Sequence, residues 1–311
     1  MKVEVKVSRA NYDDATASAT IAVTAKAIEL TADSDSWTYD GSAHTLHTYT
    51  LTSGSFIGSE DIASATFDTA STITNVGSVA NTITGVTAKA GTDANDYAFT
   101  YKTGTLTVTQ AKMIVTSDGY NKPYDGAAHD LTAEVTGLTG MTIGYALLPG
   151  GLYSPTCPTF TNAGANTVYF MASDPDGNYS NAYGSAQVII TKVQLTATAD
   201  NQSMTYGDTT LPTESVTYTG FVNGETDSVV SGTSGITYTY SNSTGDVTVD
   251  GTLGAGTYTI TPNVSGLLAT NYTFTPATGT LTVDKKIVTV TADPQAMTYG
   301  AAALPTESVT Y

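Results

Sequence analysis

Along most of the chain apolar residues recur at every second position in short runs, and the runs are separated by clusters of Gly, Asn, Asp, Ser and Thr. That alternation is the signature of strands with one buried face, not of helices. Ile28 with Leu30, Met113 with Val115, Leu195 with Ala197, and Val288 with Val290 each stand two apart, and Thr31, Thr116, Thr198 and Thr291 follow them. Four equivalent opening strands are predicted. Leu106 with Val108 and Leu281 with Val283 predict closing strands, entered through Gly104 and Gly279. A penultimate strand is expected around Thr257 to Thr261, after a turn read in Ile73 to Gly77, Phe160 to Gly164 and Leu253 to Gly256. Asn and Gly suit such turns because they tolerate left-handed backbone. One helical turn is expected in Phe221 to Thr226, and no segment sustains a helical period.

The strands belong to a long internal repeat. Gln202 to Tyr218 (QSMTYGDTTLPTESVTY) returns at Gln295 to Tyr311 as QAMTYGAAALPTESVTY, and diverged openings lie at Trp37 to His44 and Lys122 to His129. The marker tyrosines Tyr39, Tyr124, Tyr206 and Tyr299 are spaced by 85, 82 and 93 residues. A second landmark, an Asn-Tyr or Asn-Asp-Tyr sequence ending at Tyr12, Tyr97, Tyr179 and Tyr272, repeats the same intervals. Whole modules have therefore been duplicated. The expected architecture is mainly β: a tandem array of small antiparallel sandwich-like modules, with a β-grasp-like sheet carrying one short helix as the alternative. Boundaries placed at the recurring lysines give 26–111, 112–191 and 192–285, flanked by a closing segment at 1–25 and an opening segment at 286–311. The two flanking segments are expected to be parts of further modules in a longer tandem protein, with exposed strand edges through which copies associate. Arrays of this kind set length and display surfaces more often than they house one active site.

Composition narrows the partners. The net charge of -17 arises from 28 acidic and 11 basic residues spread along the chain. Such a surface repels phosphate backbones and anionic lipid, which argues against nucleic acid as a partner. Cys157 is the only cysteine, so the fold must hold by packing and hydrogen bonds without an internal disulfide. No run of 18 apolar residues occurs, so membrane insertion of this segment is not expected.

The openings Tyr39-Asp40-Gly41, Tyr124-Asp125-Gly126, Thr205-Tyr206-Gly207 and Thr298-Tyr299-Gly300 resemble the YDG and MBG repeats of large bacterial surface adhesins. The third module is similar to the YGX type of MBG through Tyr206-Gly207-Asp208, Leu211-Pro212, Thr219 to Gly224, Asn271-Tyr272 and Gly279-Thr280-Leu281. The second resembles YDG through Phe160 to Gly164 and Gly177-Asn178-Tyr179. The resemblance implies a secreted or cell-surface bacterial protein serving as a stalk or fibre segment. Its partners would be its own neighbouring modules and, beyond them, host or matrix glycans or proteins. A carbohydrate- or protein-binding module is the alternative. The family supplies no catalytic residues.

Candidate chemistry is sparse. His44 and His129 sit five residues after their tyrosines and His47 is near, but no Cys or Glu clusters with them as a zinc set requires. Asp174, Asp176 and Asn178 place oxygen ligands at alternate positions, the start of a calcium loop, but Ser185 stands where the twelfth-position carboxylate belongs. Weak calcium binding that stiffens the second module competes there with a polar β-turn. No cofactor is otherwise implied. The chain shows no GxSxG elbow, no phosphate-cradling glycine loop and no paired carboxylates at equivalent positions, so an enzyme is not expected.

Overall fold

The computed structural model describes residues 1–311. Strands and turns account for nearly all of it, and the helical residues are three single 3-10 turns at Ala94–Asp96, Asp227–Val229 and Thr233–Gly235. The turn expected at Phe221 to Thr226 is a tight one, closed by the Glu225 amide on the Val222 carbonyl, with the 3-10 turn just after it. The chain divides into two units: residues 1–117, 133–156 and 169–185 form one, and residues 118–132, 157–168 and 186–311 the other. The second repeat contributes to both.

In the first unit the opening strand Lys26–Ala32 lies between Tyr49–Ser53, antiparallel, and the landmark strand Tyr97–Lys102, parallel. The closing strand Gly104–Thr109 lies between Asp35–Thr38, parallel, and Gly77–Asn81, antiparallel. Ile62–Phe67 and Ile83–Ala88 pair antiparallel. Alternation puts Ile28, Leu30 and Ala32 against Ile62, Ile83 and Tyr97 in one core cluster, and Leu106 and Val108 against Ile73 in another. Each fully buried Leu, Leu30 and Leu106 among them, stabilises the fold by about 1.5–3 kcal/mol. From the second repeat this unit takes Thr142–Ala146 paired with Tyr169–Ser173, and Val115–Thr116 paired with Glu134–Val135.

The second unit repeats the plan. Val193–Ala199 lies between Val216–Thr219, antiparallel, and Tyr272–Ala277, parallel. A five-stranded sheet runs in the order Gln202–Thr205, Gly279–Asp284, Gly256–Asn263, Thr237–Asn242, Gly245–Val247. Met204, Ile260, Leu281 and Val283 fill its core with Ala199. From the second repeat comes the parallel pair Tyr120–Pro123 with Val188–Thr191.

The mainly β, sandwich-like modules expected are met, and their sheets carry parallel pairs beside the expected antiparallel ones. Two long stretches of each repeat, the opening residues and the landmark-to-closing residues, run side by side in the same direction and leave one sheet for the other at the same level. Parallel neighbours need a long crossover, which the body of the repeat supplies. The crossing brings backbones together so tightly that a Cβ on Gly104 would lie 2.4 Å from the Ala32 carbonyl oxygen, and one on Gly279 2.2 Å from that of Ala199. Glycine is required there by contact.

At the chain ends the expected apolar faces are not buried. Lys2–Val7 and Ala15–Thr20 form an exposed antiparallel hairpin. Thr291–Ala292 pairs with Val309–Thr310, but Val288 and Val290, expected on a buried face, pair with no strand and stand more than half exposed. In the complete repeats the landmark strand covers those positions, and none lies beside these.

Candidate functional site

The most elaborate polar geometry in the molecule lies where consecutive repeats meet, and it occurs twice. At the first joint the Val76 amide donates to Asn178 Oδ1 at 3.0 Å, and Asn178 Nδ2 donates to Asn75 Oδ1 at 3.4 Å. At the second the Ala163 amide donates to Asn271 Oδ1 at 2.8 Å, and Asn271 Nδ2 donates to Asn162 Oδ1 at 3.2 Å. Thus at both joints the asparagine before the landmark tyrosine, Asn178 or Asn271, caps the Thr-Asn-X-Gly turn of the preceding repeat. Both asparagines are buried, so their amides need these partners.

The tyrosines follow the same rule. Tyr39 meets Tyr179 edge-on at 5.5 Å between centroids and 81° between planes, and Tyr124 meets Tyr272 at 5.7 Å and 84°. Edge-to-face pairs of this kind add about 0.5–1.5 kcal/mol beyond the area they bury. The opening strand locks in behind them: the Ala111 amide donates to the Asn178 carbonyl and the Val193 amide to the Asn271 carbonyl, both at 3.0 Å.

The second joint carries an additional acid. Tyr124 donates its hydroxyl to Glu225 Oε1 at 2.7 Å, while Tyr272 donates to Glu225 Oε2, so one carboxylate is shared by tyrosines of two repeats. The hydrogen bond to Glu225, reinforced by burial, pushes the Tyr124 hydroxyl up to about 12. Burial first and Glu225 second raise Tyr272 as well. In the first repeat Glu60 bonds Tyr97 in the same manner, and burial followed by that bond raises Tyr97.

Other predicted residues fall outside the joints or serve them. His44 Nε2 lies 3.0 Å from Asp40 Oδ1 and His129 Nε2 lies 2.8 Å from Asp125 Oδ1. Their rings stack on Trp37 and Tyr120 at 4.8 and 4.4 Å, and their backbones bridge to Ile73 and Phe160. Each histidine therefore staples its Tyr-Asp-Gly turn to the strand that leads into the capped turn. The His129 bond, with the Ala127 amide next, holds Asp125 below the usual carboxylate range. His47 stacks instead on Phe67.

Asp174 accepts from the amides of Asp176, Asn178 and Tyr179 at 2.7–2.9 Å. Burial pushes its carboxyl up, but those three bonds outweigh it and hold Asp174 low. The loop is thereby shaped to present Asn178 to the joint, and Asn178 Oδ1 is already engaged by Val76. No three His, Cys, Asp or Glu side chains converge on a metal-sized space.

The joint itself was legible in one signal that the repeat intervals conceal. From each landmark tyrosine to the next marker, 97 to 124, 179 to 206 and 272 to 299, the interval is 27 residues. From marker to landmark within a repeat it varies: 58, 55 and 66. Length is fixed across the joint and free inside the body.

In the third repeat the Tyr206-Gly207-Asp208 turn is closed by Asp208 Oδ2 accepting from the Thr205 amide, with Gly207 at a φ of +89°, and Asn271-Tyr272 completes the joint. Residues 195–282 match the MBG domain family, YGX type. The resemblance drawn from the third repeat's residues is met by that match, and the MBG segment spans the strands from Val193 to Asp284 almost entire. The chain matches no curated protein. Among solved structures, a titin I-band fragment, I67–I69, aligns at 8% identity over 84% of this chain and 98% of its own, with a TM-score of 0.31. The N-terminal four Ig domains of Dscam1 isoform 4.4 align at 10% identity over 83% and 73%, with a TM-score of 0.24. Extracellular domains 3–5 of Drosophila OTK align at 10% identity over 85% and 100%, with a TM-score of 0.23. No helix is long and apolar enough to cross a membrane.

Proposed function

We propose that this chain is a spacer of an extracellular, adhesion-type surface protein of bacterial origin, a stalk or fibre segment in which residues 26–111, 112–191 and 192–285 are successive modules. The observation that carries the reading is the duplicated joint: the same Asn cap and tyrosine pair at both repeat boundaries, linked by a stretch of constant length. A fixed joint between variable bodies is what a spacer needs, because it sets the angle between neighbours while each body drifts. The MBG match supports the adhesion-type assignment. The polar side chains that are most committed serve the joints.

Small-angle scattering tests the reading. The pair-distance profile is expected to broaden when Asn178 and Asn271 are both replaced by Ala. A profile indifferent to those changes would refute it. A second reading, protein or glycan binding, is favoured by the exposed Leu147, Leu148, Leu152 and Tyr183, the last packed near Tyr153. Exposed apolar clusters of this kind mark binding surfaces, and glycan-array binding lost in Leu152→Asp would support it.

A further inference from the structure

The loop after strand Thr142–Ala146 is longer than the fold requires. From the end of Ile62–Phe67 to Ile73, which bridges to His44, the first repeat takes six residues; from the end of Thr142–Ala146 to Phe160, which bridges to His129 in the same way, the second takes fourteen. The second repeat carries that extra length although its interval from marker to landmark, 55, is the shortest of the three. Loop length that the core does not need is where binding function concentrates. Here it displays leucine: Leu147, Leu148 and Leu152 stand 55%, 70% and 100% exposed.

The loop is nonetheless held in shape. Tyr145 and Ser154 exchange backbone hydrogen bonds at 2.7 and 2.8 Å across its base, and within it the Gly151 amide donates to the Leu148 carbonyl at 3.1 Å, with Gly150 at a φ of +70°. The leucines therefore project from a closed hairpin tip, and docking them costs little ordering. Beside the base Tyr153 and the exposed Tyr183 pack with ring centroids 6.3 Å apart. The chemistry of the tip selects its partner. Residues 135–173 hold no Asp, Glu, Lys, Arg or His, the longest uncharged run in a chain of net charge -17. From Leu147 to Leu152 no side chain can donate or accept a hydrogen bond, so the hydroxyls of a glycan meet no side-chain partner there. A protein would have to supply a hollow shaped to three projecting leucines, whereas fluid acyl chains close around any apolar tip. Tyrosines at the base suit the headgroup level, where amphipathic rings concentrate. Anionic lipid is repelled by the acidic remainder, so the bilayer that fits is one without net charge.

We propose that residues 147–152 are a docking tip that enters the headgroup and outer acyl region of a zwitterionic lipid bilayer, with Tyr153 and Tyr183 at the interface. A tip of this kind lies within one leaflet and spans nothing, so it needs no run of 18 apolar residues. The surface is the one named in the second reading above, with a different partner, and neither joint includes it, so the spacer reading stands or falls separately.

Flotation of the full chain with phosphatidylcholine vesicles tests it. Burial of three leucines predicts binding at about millimolar lipid, and Leu152→Asp or Leu148→Asp weakens it by about tenfold or more. Both positions are exposed, so unchanged melting of each variant is expected to show that its fold is intact. Replacing half of the lipid by phosphatidylglycerol weakens binding in low salt, and added salt restores it. In Leu152→Trp, lipid brominated on its acyl chains quenches fluorescence beyond that of Trp37 in the parent. A chain that does not float with phosphatidylcholine, binding indifferent to both aspartates, tighter binding to the anionic mixture, or a Leu152→Trp variant without added quenching would each overturn the proposal. Capture of a glycan or a protein that Leu152→Asp abolishes, without vesicle binding, would also overturn it and would leave the second reading in place.

Discussion

Replacing Asn271 by Ala removes one side chain and leaves both turn and strand in place, which makes it the cleanest probe of the joint. Two hydrogen bonds are lost, at 2.8 and 3.2 Å, each with a net value of about 0.5–1.5 kcal/mol. Ala163, whose amide loses its acceptor, is half-buried, so water re-solvates part of it and the penalty for an orphaned donor is only partly incurred. The expected loss is about 1–2 kcal/mol. For a cooperative unit the size of one repeat that lowers the melting midpoint by about 4–12 °C. Differential scanning calorimetry reads this directly, and a cycle with Asn162→Ala isolates the side-chain pair at about 0.5 kcal/mol or more of coupling. A midpoint unmoved by Asn271→Ala would show that the cap contributes nothing and that the recurrence is only an echo of duplication.

Three further outcomes are expected. Tyr124 has a folded-state value of about 12 against an ordinary 10.0, so its contribution is complete below pH 10 and is lost as pH rises toward 12; the stability gap between the parent and Tyr124→Phe, from urea titrations, should close over that window, and a gap constant with pH would contradict the shared-carboxylate account. Gly126 and Gly41 both hold a left-handed φ, +81° and +80°, but a Cβ on Gly126 would meet the Asn223 side chain at 2.5–2.6 Å while one on Gly41 meets nothing; Gly41→Ala should cost about 1–2 kcal/mol and Gly126→Ala about 1–3 kcal/mol more, and equal costs in urea unfolding would dismiss the packing argument. Calcium added to the folded chain should leave the melting midpoint unchanged, because Asp174 and Asn178 are already engaged by backbone amides, whereas a saturable rise would establish a site at Asp174, Asp176 and Asn178.

Much of the fold was readable because burial has a period. Leu30, Leu106, Leu195 and Leu281 are all fully buried, as alternation requires, and Gly256–Asn263 is a strand where its turn predicts one, although the landmark strand Tyr272–Ala277 follows it, so it is not the penultimate one. Strand direction was not readable: alternation is identical in parallel and antiparallel ladders, so nothing local distinguishes Leu51, the antiparallel partner of Leu30, from Tyr101, its parallel partner. Val288 and Val290 carry the right pattern and remain exposed, since a pattern specifies a face but not what covers it. The joints were half visible. Asn178 stood out as a candidate ligand of an ion, and its amide group also caps another turn more than a hundred residues away in sequence, a contact that no spacing within its own loop could reveal.

The mixed sheets carry a consequence for chains held under tension. In the third repeat the incoming segment Gln202–Thr205 and the outgoing segment Gly279–Asp284 are parallel neighbours, as are Asp35–Thr38 and Gly104–Thr109 in the first. A pull on the two ends of such a repeat drags these neighbours in opposite senses along their length. Every ladder bond between them is then sheared at once rather than unzipped one by one, so rupture resistance is built into the order in which the strands are threaded.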